Sequence, residues 1–255
     1  MLLAMDVGNS NVVLALFKDE ELLESWRLHT NNTHTGDDWW IAVKHLAKDA
    51  GVDIGSVNGI IISSVVPVVG RALIQMCERY LQIRPMRVNA HLPLDLGLDV
   101  KDPDSVGADR ICNVVAGRTL YGVPGIIVDL GTATTFDVVN ESGHFIGGSI
   151  APGMEASARR LFSGAALLSA VDLKVPGTAI GRDTETNLQA GIVYGVVDQI
   201  DGMITRIREE TGWQDIKIVL TGGLGGLISD ELRTSVTYDP DLTVKGLRLI
   251  YQQCS

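Results

Sequence analysis

The chain has 255 residues, of which 45% are hydrophobic and 20% are charged, a composition typical of a globular protein with ample material for a core. Its formal net charge of -10 argues against nucleic acid as a partner, because binding to a phosphate backbone depends on clustered Lys and Arg. The three cysteines lie far apart, which disfavours a zinc site or a disulfide framework and predicts reduced thiols in a cytosol. The apolar run at 59–70 is too short and too interrupted to span a bilayer, and the residues before Asp6 are too few for a signal peptide. We therefore expect a cytoplasmic protein with no membrane partner.

The first half of the chain predicts an α/β unit that begins with three strands. Apolar and β-branched runs bounded by turn residues predict the strands, and apolar residues at helical spacing predict the helices. The run at 59–66 is typical of a parallel strand that is covered on both faces. The expected elements are strands at 2–7, 11–17, 22–28, 59–66 and 86–89, and helices at 39–50 and 68–81.

The second half repeats this plan. A buried strand again leads to an Asp-x-Gly turn, and two further antiparallel strands and then helices follow it. We therefore predict two α/β lobes, 1–117 and 118–255, with a cleft that one Asp-x-Gly turn enters from each side. The expected elements are strands at 125–130, 134–139, 144–150 and 216–220, and helices at 153–168, 184–210 and 242–252.

The two Asp-x-Gly turns are the first candidates for chemistry. In the first, which runs from Asp6 to Asn11, a tight hairpin could aim N–H groups at phosphate oxygens while Asp6 holds a Mg²⁺-bound water. The second, from Asp129 to Thr135, offers threonine hydroxyls and a carboxylate for a cation. Each turn alone is also explained as an ordinary β-turn, since Asp, Gly, Asn and Ser are the usual turn residues. Their matched places in the two halves favour a phosphate clamp.

A third motif, Gly107-Ala108-Asp109-Arg110, opens an apolar helical run. From spacing alone, charge compensation is the commoner explanation of Asp109, because the helix dipole favours a carboxylate in the first turn. The functional alternative makes Asp109 a general base for a hydroxyl and Arg110 a clamp for a substrate carboxylate or phosphate. Two glycine-rich segments, 147–153 and 221–226, indicate close backbone approach or a phosphate- or adenosine-facing loop, and neither is decisive.

Taken in chain order, these motifs resemble those of the type III pantothenate kinases: Asp6-Val-Gly-Asn-Ser-Asn, Gly107-Ala-Asp-Arg, Asp129-Leu-Gly-Thr-Ala-Thr, Gly147-Gly-Ser-Ile-Ala-Pro-Gly and Thr221-Gly-Gly. The resemblance covers nearly the whole chain. It implies phosphorylation of pantothenate by ATP, the first committed step toward coenzyme A, in a homodimer that needs Mg²⁺ and a monovalent cation such as K⁺ or NH₄⁺. It also implies the duplicated ribonuclease-H-like α/β fold of actin and sugar kinases, with a mixed five-stranded sheet flanked by helices in each lobe.

The resemblance further implies roles for single residues. Asp109 would be the catalytic base on the primary hydroxyl of pantothenate, and Asp129 would bind the monovalent cation. One departure stands out, because Val100 occupies a place where the family usually carries Tyr, which puts one substrate contact in doubt. The ATP phosphates would be bound by Asp6, Val7, Gly8, Asn9, Ser10, Asn11, Val12, Val13 and Thr132, and pantothenate by Gly107, Ala108, Asp109, Arg110 and Thr184.

Two alternatives stay open at this point. One is another kinase on the same fold, such as a sugar or N-acetylhexosamine kinase. The other is a non-catalytic regulatory accessory protein, which the loss of Asp6, Asp109 or Asp129 would favour, and all three are present. Fold alone does not decide among these functions.

Overall fold

The computed structural model describes residues 1–164 and 171–255. The chain divides into two compact units, the first made of residues 1–116 with 242–255 and the second of residues 117–241. This division keeps the last helix with the first unit and falls within a helix after Ala116. The lobes 1–117 and 118–255 expected from the sequence stay a prediction.

The first unit is built on a mixed five-stranded sheet. Its strands are β1 (Leu2–Val7), β2 (Asn11–Lys18), β3 (Glu21–His29), β4 (Gly59–Ser64) and β5 (Met86–Arg87). They lie in the order β3-β2-β1-β4-β5, in which β2 is antiparallel to both β1 and β3, and β4 is parallel to both β1 and β5. The helices of this part of the chain are α1 (Gly36–Asp49), α2 (Pro67–Met76) and α3 (Ala108–Tyr121).

The second unit repeats this sheet strand for strand. It contains β6 (Gly125–Leu130), β7 (Ala133–Val139), β8 (Phe145–Pro152), β9 (Lys217–Thr221) and β10 (Thr237–Tyr238), in the order β8-β7-β6-β9-β10. Its helices are α4 (Met154–Gly164), α5 (Thr184–Thr211) and the single turn α6 (Gly225–Ile228), and α7 (Leu242–Cys254) follows in the first unit. β1 and β6 share one burial pattern, with Asp6 and Asp129 as the less buried fifth residues. The predicted duplicated α/β fold is confirmed.

Local signals explain where the observed elements differ from the predicted ones. β4 ends at Ser64 because Pro67, whose φ suits a first helical position, opens α2 after the cap residue Val66. β10 has only two residues, too few for an alternating pattern, and was not predicted. The helix predicted at 153–168 is observed as far as Gly164, and residues 165–168 lie outside the described residues.

Alternate residues of the first sheet face two separate cores. One core packs α1 and α2 on the sheet around the fully buried Trp39 and Leu73. The other joins α3 and α7 to the residues of the opposite face. α7 comes close to α3 because Gly246 has no side chain, and a Cβ there would lie 2.1 Å from the Cys112 carbonyl oxygen. In the parts of the chain that the structure describes, no helix combines the length and apolar character needed to cross a membrane.

Candidate active site

The first Asp-x-Gly turn closes β1 onto β2. The Gly8 N–H donates to the Asn11 carbonyl oxygen at 2.9 Å, so Asn9 and Ser10 form the tip. Asp6 lies one residue before the end of β1, where its parallel neighbour on β4 is Ser63. Its carboxylate therefore lies at the carboxyl end of the parallel strands, the edge at which α/β sheets bind ligands.

Thr30 fixes the backbone of this turn. Its hydroxyl donates to the Gly8 carbonyl oxygen at 2.6 Å, and its N–H donates to the Ser10 carbonyl oxygen at 3.0 Å. The turn is thus held in one conformation before any ligand binds. Thr30 was not predicted from the sequence, because a threonine after a strand is common and its contact with Gly8 spans 22 residues.

Asp109 lies in the first turn of α3, and the first unit brings it near Asp6. The pKa of the Cys112 thiol is held well above its ordinary value by burial, and the carboxylates of Asp6 and Asp109 raise it further. Cys112 is fully buried, and the charges of both carboxylates act on this one thiol. The predicted phosphate turn and the predicted base therefore occupy one neighbourhood.

The backbone before α3 holds the Asp109 side chain close. Its Oδ1 accepts a hydrogen bond from the Arg110 N–H at 2.8 Å. A Cβ at Gly107 would lie 2.4 Å from the same oxygen, so a side chain there would displace the Asp109 carboxylate. Asp109, Ala108 and Arg110 are all half-buried, which leaves the carboxylate within reach of a small molecule. Val100 is half-buried in the segment that precedes this motif.

The second Asp-x-Gly turn occupies the matching place between β6 and β7 and is one residue shorter than the first. The Gly131 N–H donates to the Ala133 carbonyl oxygen at 3.0 Å, and Thr132 is exposed at the tip. Asp129 pairs with Thr221 on the parallel strand β9, as Asp6 does with its neighbour on β4. Each sheet therefore presents one carboxylate at the same point of its topology.

Both glycine-rich segments of the second unit pack on this second turn. A Cβ at Gly153 would lie 2.3 Å from the Thr132 carbonyl oxygen, and a Cβ at Gly222 would lie 2.7 Å from Asp129 Oδ1. Gly222 also has a φ of 92°, which side chains of L-residues rarely adopt. The second turn and the two glycine-rich segments are far apart in the sequence, but they pack against one another in the structure.

Two threonine hydroxyls beside this turn lack a partner within the protein. Thr134 Oγ1 and Thr135 Oγ1 are both buried and make no hydrogen bond to a described residue. Successive side chains of a strand point to opposite faces of the sheet, so these two hydroxyls lie on different sides of β7.

The oxygen donors at the two turns fit hard cations. Carboxylates and backbone carbonyls are the ligands that Mg²⁺ and K⁺ accept, and both are present at Asp6 and Asp129. Within residues 1–164 and 171–255, no group of three or more His, Cys, Asp or Glu side chains could hold a metal. A cation at either carboxylate would complete its shell with water and phosphate oxygens, which is the usual arrangement for Mg²⁺ at nucleotide sites.

Thr184 lies elsewhere in the second unit, at the exposed start of α5. The preceding Asp183 caps the helix, since its Oδ1 accepts from the Thr186 N–H at 2.8 Å. That backbone hydrogen bond, joined by the Thr186 hydroxyl, lowers the pKa of Asp183. The segment before α5 is therefore ordered by its own capping, with the Thr184 side chain facing solvent.

A duplicated mixed sheet with one acidic turn in each half gives the chain the fold class of the actin-like ATPases and sugar kinases. A Campylobacter jejuni protein described as a conserved Baf family transcriptional activator has a TM-score of 0.61 at 19% identity, covering 98% of each chain. Component A of (R)-2-hydroxyglutaryl-CoA dehydratase from Acidaminococcus fermentans has 0.57 at 13%, covering 99% of this chain and 96% of that one. A ROK hexokinase from Thermus thermophilus has 0.55 at 12%, covering 99% and 98%. At these identities the likeness shows the fold alone.

The family follows from the sequence. The model of the type III pantothenate kinase family matches residues 2–206, and the chain belongs to that family. It is a kinase that phosphorylates pantothenate in coenzyme A biosynthesis, with ATP as donor and a divalent metal. The resemblance drawn from the five motifs is confirmed.

Proposed function

We propose that Asp109 is the general base in the phosphorylation of pantothenate to 4′-phosphopantothenate by ATP. The observation that supports this is its place in the first turn of α3, in the same unit as Asp6, with both carboxylates raising the pKa of the one buried thiol of Cys112. Asp109 is half-buried, and its Oδ1 is held by the Arg110 N–H. A carboxylate that is oriented and still reachable suits the removal of a proton from an alcohol.

The ATP phosphates are assigned to the two turns. Successive N–H groups in a glycine hairpin form an anion-binding concavity, and Thr30 keeps the first turn in that form. Such preorganised donors matter because phosphoryl transfer depends on positioning and charge neutralisation more than on covalent help. The residues assigned to phosphate binding are Asp6, Val7, Gly8, Asn9, Ser10, Asn11, Val12, Val13 and Thr132.

The cations are assigned to the two carboxylates. Asp6 would hold a water of the Mg²⁺ shell, and Asp129 would hold K⁺ or NH₄⁺ with backbone carbonyl oxygens. The packing at Gly222, against both Asp129 Oδ1 and the Leu130 carbonyl oxygen, supports this assignment. When bound, these ions neutralise charge on the phosphate oxygens.

Pantothenate is assigned to the segment at the start of α3. The Arg110 guanidinium suits the substrate's carboxylate, since Arg binds carboxylates with two parallel hydrogen bonds. Gly107 and Ala108 would line the site, and Thr184 would add a contact. Val100, in place of the family's usual Tyr, removes one aromatic hydroxyl from this surface.

A homodimer in the cytosol is also proposed. β8 is an edge strand of its sheet, and Ile146 and Ile150 on it are exposed, Ile150 to 66%. An edge strand with exposed apolar side chains is a surface that a second copy can cover. The cytosolic location is supported by the free thiols of Cys77, Cys112 and Cys254.

The test of the base is Asp109→Asn. We expect kcat to fall about 10²- to 10⁴-fold, the usual contribution of a general base, while the Kd for ATP stays within about twofold. The matched control is Asp49→Asn, which removes an exposed carboxylate on α1 that pairs with His45 at the surface. Near-normal turnover in the Asp109 variant would remove this residue from the mechanism.

The alternative of a non-catalytic regulator has one observation in its favour, the description of the Campylobacter jejuni protein as a transcriptional activator. At 19% identity that likeness concerns the fold. The net charge of -10 opposes contact with DNA, and all three candidate carboxylates are present. The chain's membership in the type III pantothenate kinase family decides for catalysis.

A further inference from the structure

We propose that Tyr238 is a positioning residue for the nucleotide, because it holds the glycine loop (residues 222–226) in place on the second Asp-x-Gly turn. This inference rests on the proposed function, in which the second turn binds ATP. It concerns how the loop is kept in a binding conformation, and it gives β10 a role in the site.

Tyr238 contacts the glycine loop along its length. Its hydroxyl donates to the Gly222 carbonyl oxygen at 3.3 Å. A Cβ at Gly225 would lie 2.4 Å from the Cε2 atom of the ring, and one at Gly226 would lie 3.2 Å from Cε1. The Tyr238 ring therefore packs directly on the backbone of Gly225 and Gly226, where a side chain would occupy the space of the ring.

The other side of the loop rests on the second turn. Gly222 lies against Asp129 and against the carbonyl group of Leu130, where an added Cβ would come within 2.5 Å of the Leu130 oxygen. The loop is thus fixed from two sides, by the turn and by the Tyr238 ring. A run of glycines has high conformational freedom, so this clamp removes an entropy cost that binding would otherwise carry.

A buried hydrogen-bond network holds Tyr238 itself. It lies on the two-residue strand β10, opposite Leu220 of β9. The next residue, Asp239, is 3% exposed; its N–H donates to the Leu220 carbonyl oxygen at 2.8 Å, and its Oδ2 accepts from the Tyr121 hydroxyl at 2.7 Å. Burial, together with the hydrogen bond to Asp239, raises the pKa of Tyr121 to about 12, so this donor keeps its proton at neutral pH. These two hydrogen bonds of Asp239 anchor the end of the two-residue strand β10.

If Tyr238 holds the glycine loop in place, its removal should weaken the binding of ATP and leave the binding of pantothenate unchanged. In Tyr238→Ala we expect the Kd and KM for ATP to rise roughly tenfold, because the loop must then be ordered when ATP binds, while the KM for pantothenate is unchanged. Tyr238→Phe keeps the ring and should stay within about twofold, because the hydroxyl contact is long. The matched control is Tyr194→Ala, which removes a half-buried tyrosine from α5 in the same unit. ATP affinity is measured by calorimetry, and Tm reports folding.

A double-mutant cycle tests the contact itself. Gly225→Ala adds a methyl group where the Tyr238 ring lies, so it should weaken ATP binding alone and cost less when Tyr238 is already Ala. Additive effects would overturn the inference, as would unchanged ATP affinity in Tyr238→Ala. If Tyr238→Ala does not fold, Gly225→Ala must harm ATP binding more than Gly226→Ala, because its contact is closer. A wild-type protein that binds no ATP would instead refute the proposed function.

Discussion

The chemistry of the first unit depends on which acidic groups stay ionised. Asp109 must be a carboxylate to take a proton, and Asp6 must be one to attract a cation. Cys112 is buried within the electrostatic influence of both, and a thiolate there would add a third negative charge and a reactive nucleophile. Burial prevents this by raising the pKa of the thiol well above its ordinary value, with the two carboxylates acting in the same direction. The thiol is thus a neutral, compact packing group next to charged ones.

Thiol labelling tests this description. In the native protein at about pH 8, we expect iodoacetamide to leave Cys112 and Cys77 unmodified, since burial raises both pKa values, that of Cys77 to about 12. Cys254 is half-exposed and should react first. Peptide mass spectrometry measures each rate, and denaturation in urea provides the control in which all three react. Labelling of Cys112 as fast as Cys254 would contradict the buried, neutral thiol.

Among single residues, the sequence predicts those that stand within a recognisable local motif. Asp6 and Asp129 could be found because each ends a buried strand before a glycine turn, in two matched halves. Thr30 and Tyr238 could not be found, because their significance lies in contacts with the Gly8 carbonyl and the glycine loop, far away in sequence. No local pattern marks a residue that supports a turn from a distance.

At the scale of elements, a buried carboxylate fastens the long helix α5 to the segment before β10. The Asp201 carboxylate accepts hydrogen bonds from the N–H groups of Arg233 and Thr234, both at 3.0 Å. Burial alone would raise its pKa, but these hydrogen bonds outweigh burial, and the pKa lies below its ordinary value. The ionised form is therefore the one that stabilises the fold.

Asp201→Asn should lower the free energy of unfolding by about 1–3 kcal/mol at pH 7, the cost of losing hydrogen bonds to a charged group. A group whose pKa is lowered on folding stabilises above its unfolded pKa, near 3.9, and this stability is lost as the pH falls through the folded value. The difference in free energy of unfolding between the wild type and Asp201→Asn should therefore become smaller below about pH 4. Urea denaturation of both proteins at about pH 7 and below about pH 4 measures this difference. A difference that does not depend on pH would contradict the assignment.

Two helix glycines should respond in opposite ways to alanine. Gly202 in α5 has open space where a Cβ would be, so Gly202→Ala should stabilise the protein by about 0.5–1 kcal/mol through helix propensity. A Cβ added to Gly246 in α7 would lie 2.1 Å from the Cys112 carbonyl oxygen. Gly246→Ala should therefore destabilise the protein by about 1–3 kcal/mol. Thermal unfolding compares the two. Equal shifts would show that α7 does not pack closely on α3.

Periodicity predicted most elements but not their partners. Apolar runs placed β1 and β6 to the residue, because a buried strand needs nothing beyond its own sequence. The apolar face of α7 does not reveal which sheet it covers, and its core contacts with α3 emerge only in three dimensions. β10 leaves no signal, since its two residues are fixed by hydrogen bonds to β9.

At the scale of the whole molecule, duplication supplies two acidic turns on two sheets, and the proposed dimer would add a second copy of both. Ile150→Asp places a charge on the exposed edge strand β8, and burying it against a partner would be costly. We expect the wild type to sediment as a dimer and this variant as a monomer. Ile41→Asp on α1 changes a residue that is 68% exposed in the first unit and should remain dimeric. A monomeric wild type would refute the proposal.

Direct detection of the product is the most decisive measurement. The purified protein is incubated with ATP, Mg²⁺ and K⁺ and either pantothenate or a panel of sugars that includes N-acetylhexosamines, and phosphorylated products are identified by mass spectrometry. We expect 4′-phosphopantothenate as the product, with no sugar phosphate, a lower rate without K⁺, and a loss of about 10²- to 10⁴-fold in Asp109→Asn. A phosphorylated sugar, or ATP left unconsumed in the presence of pantothenate, would contradict it.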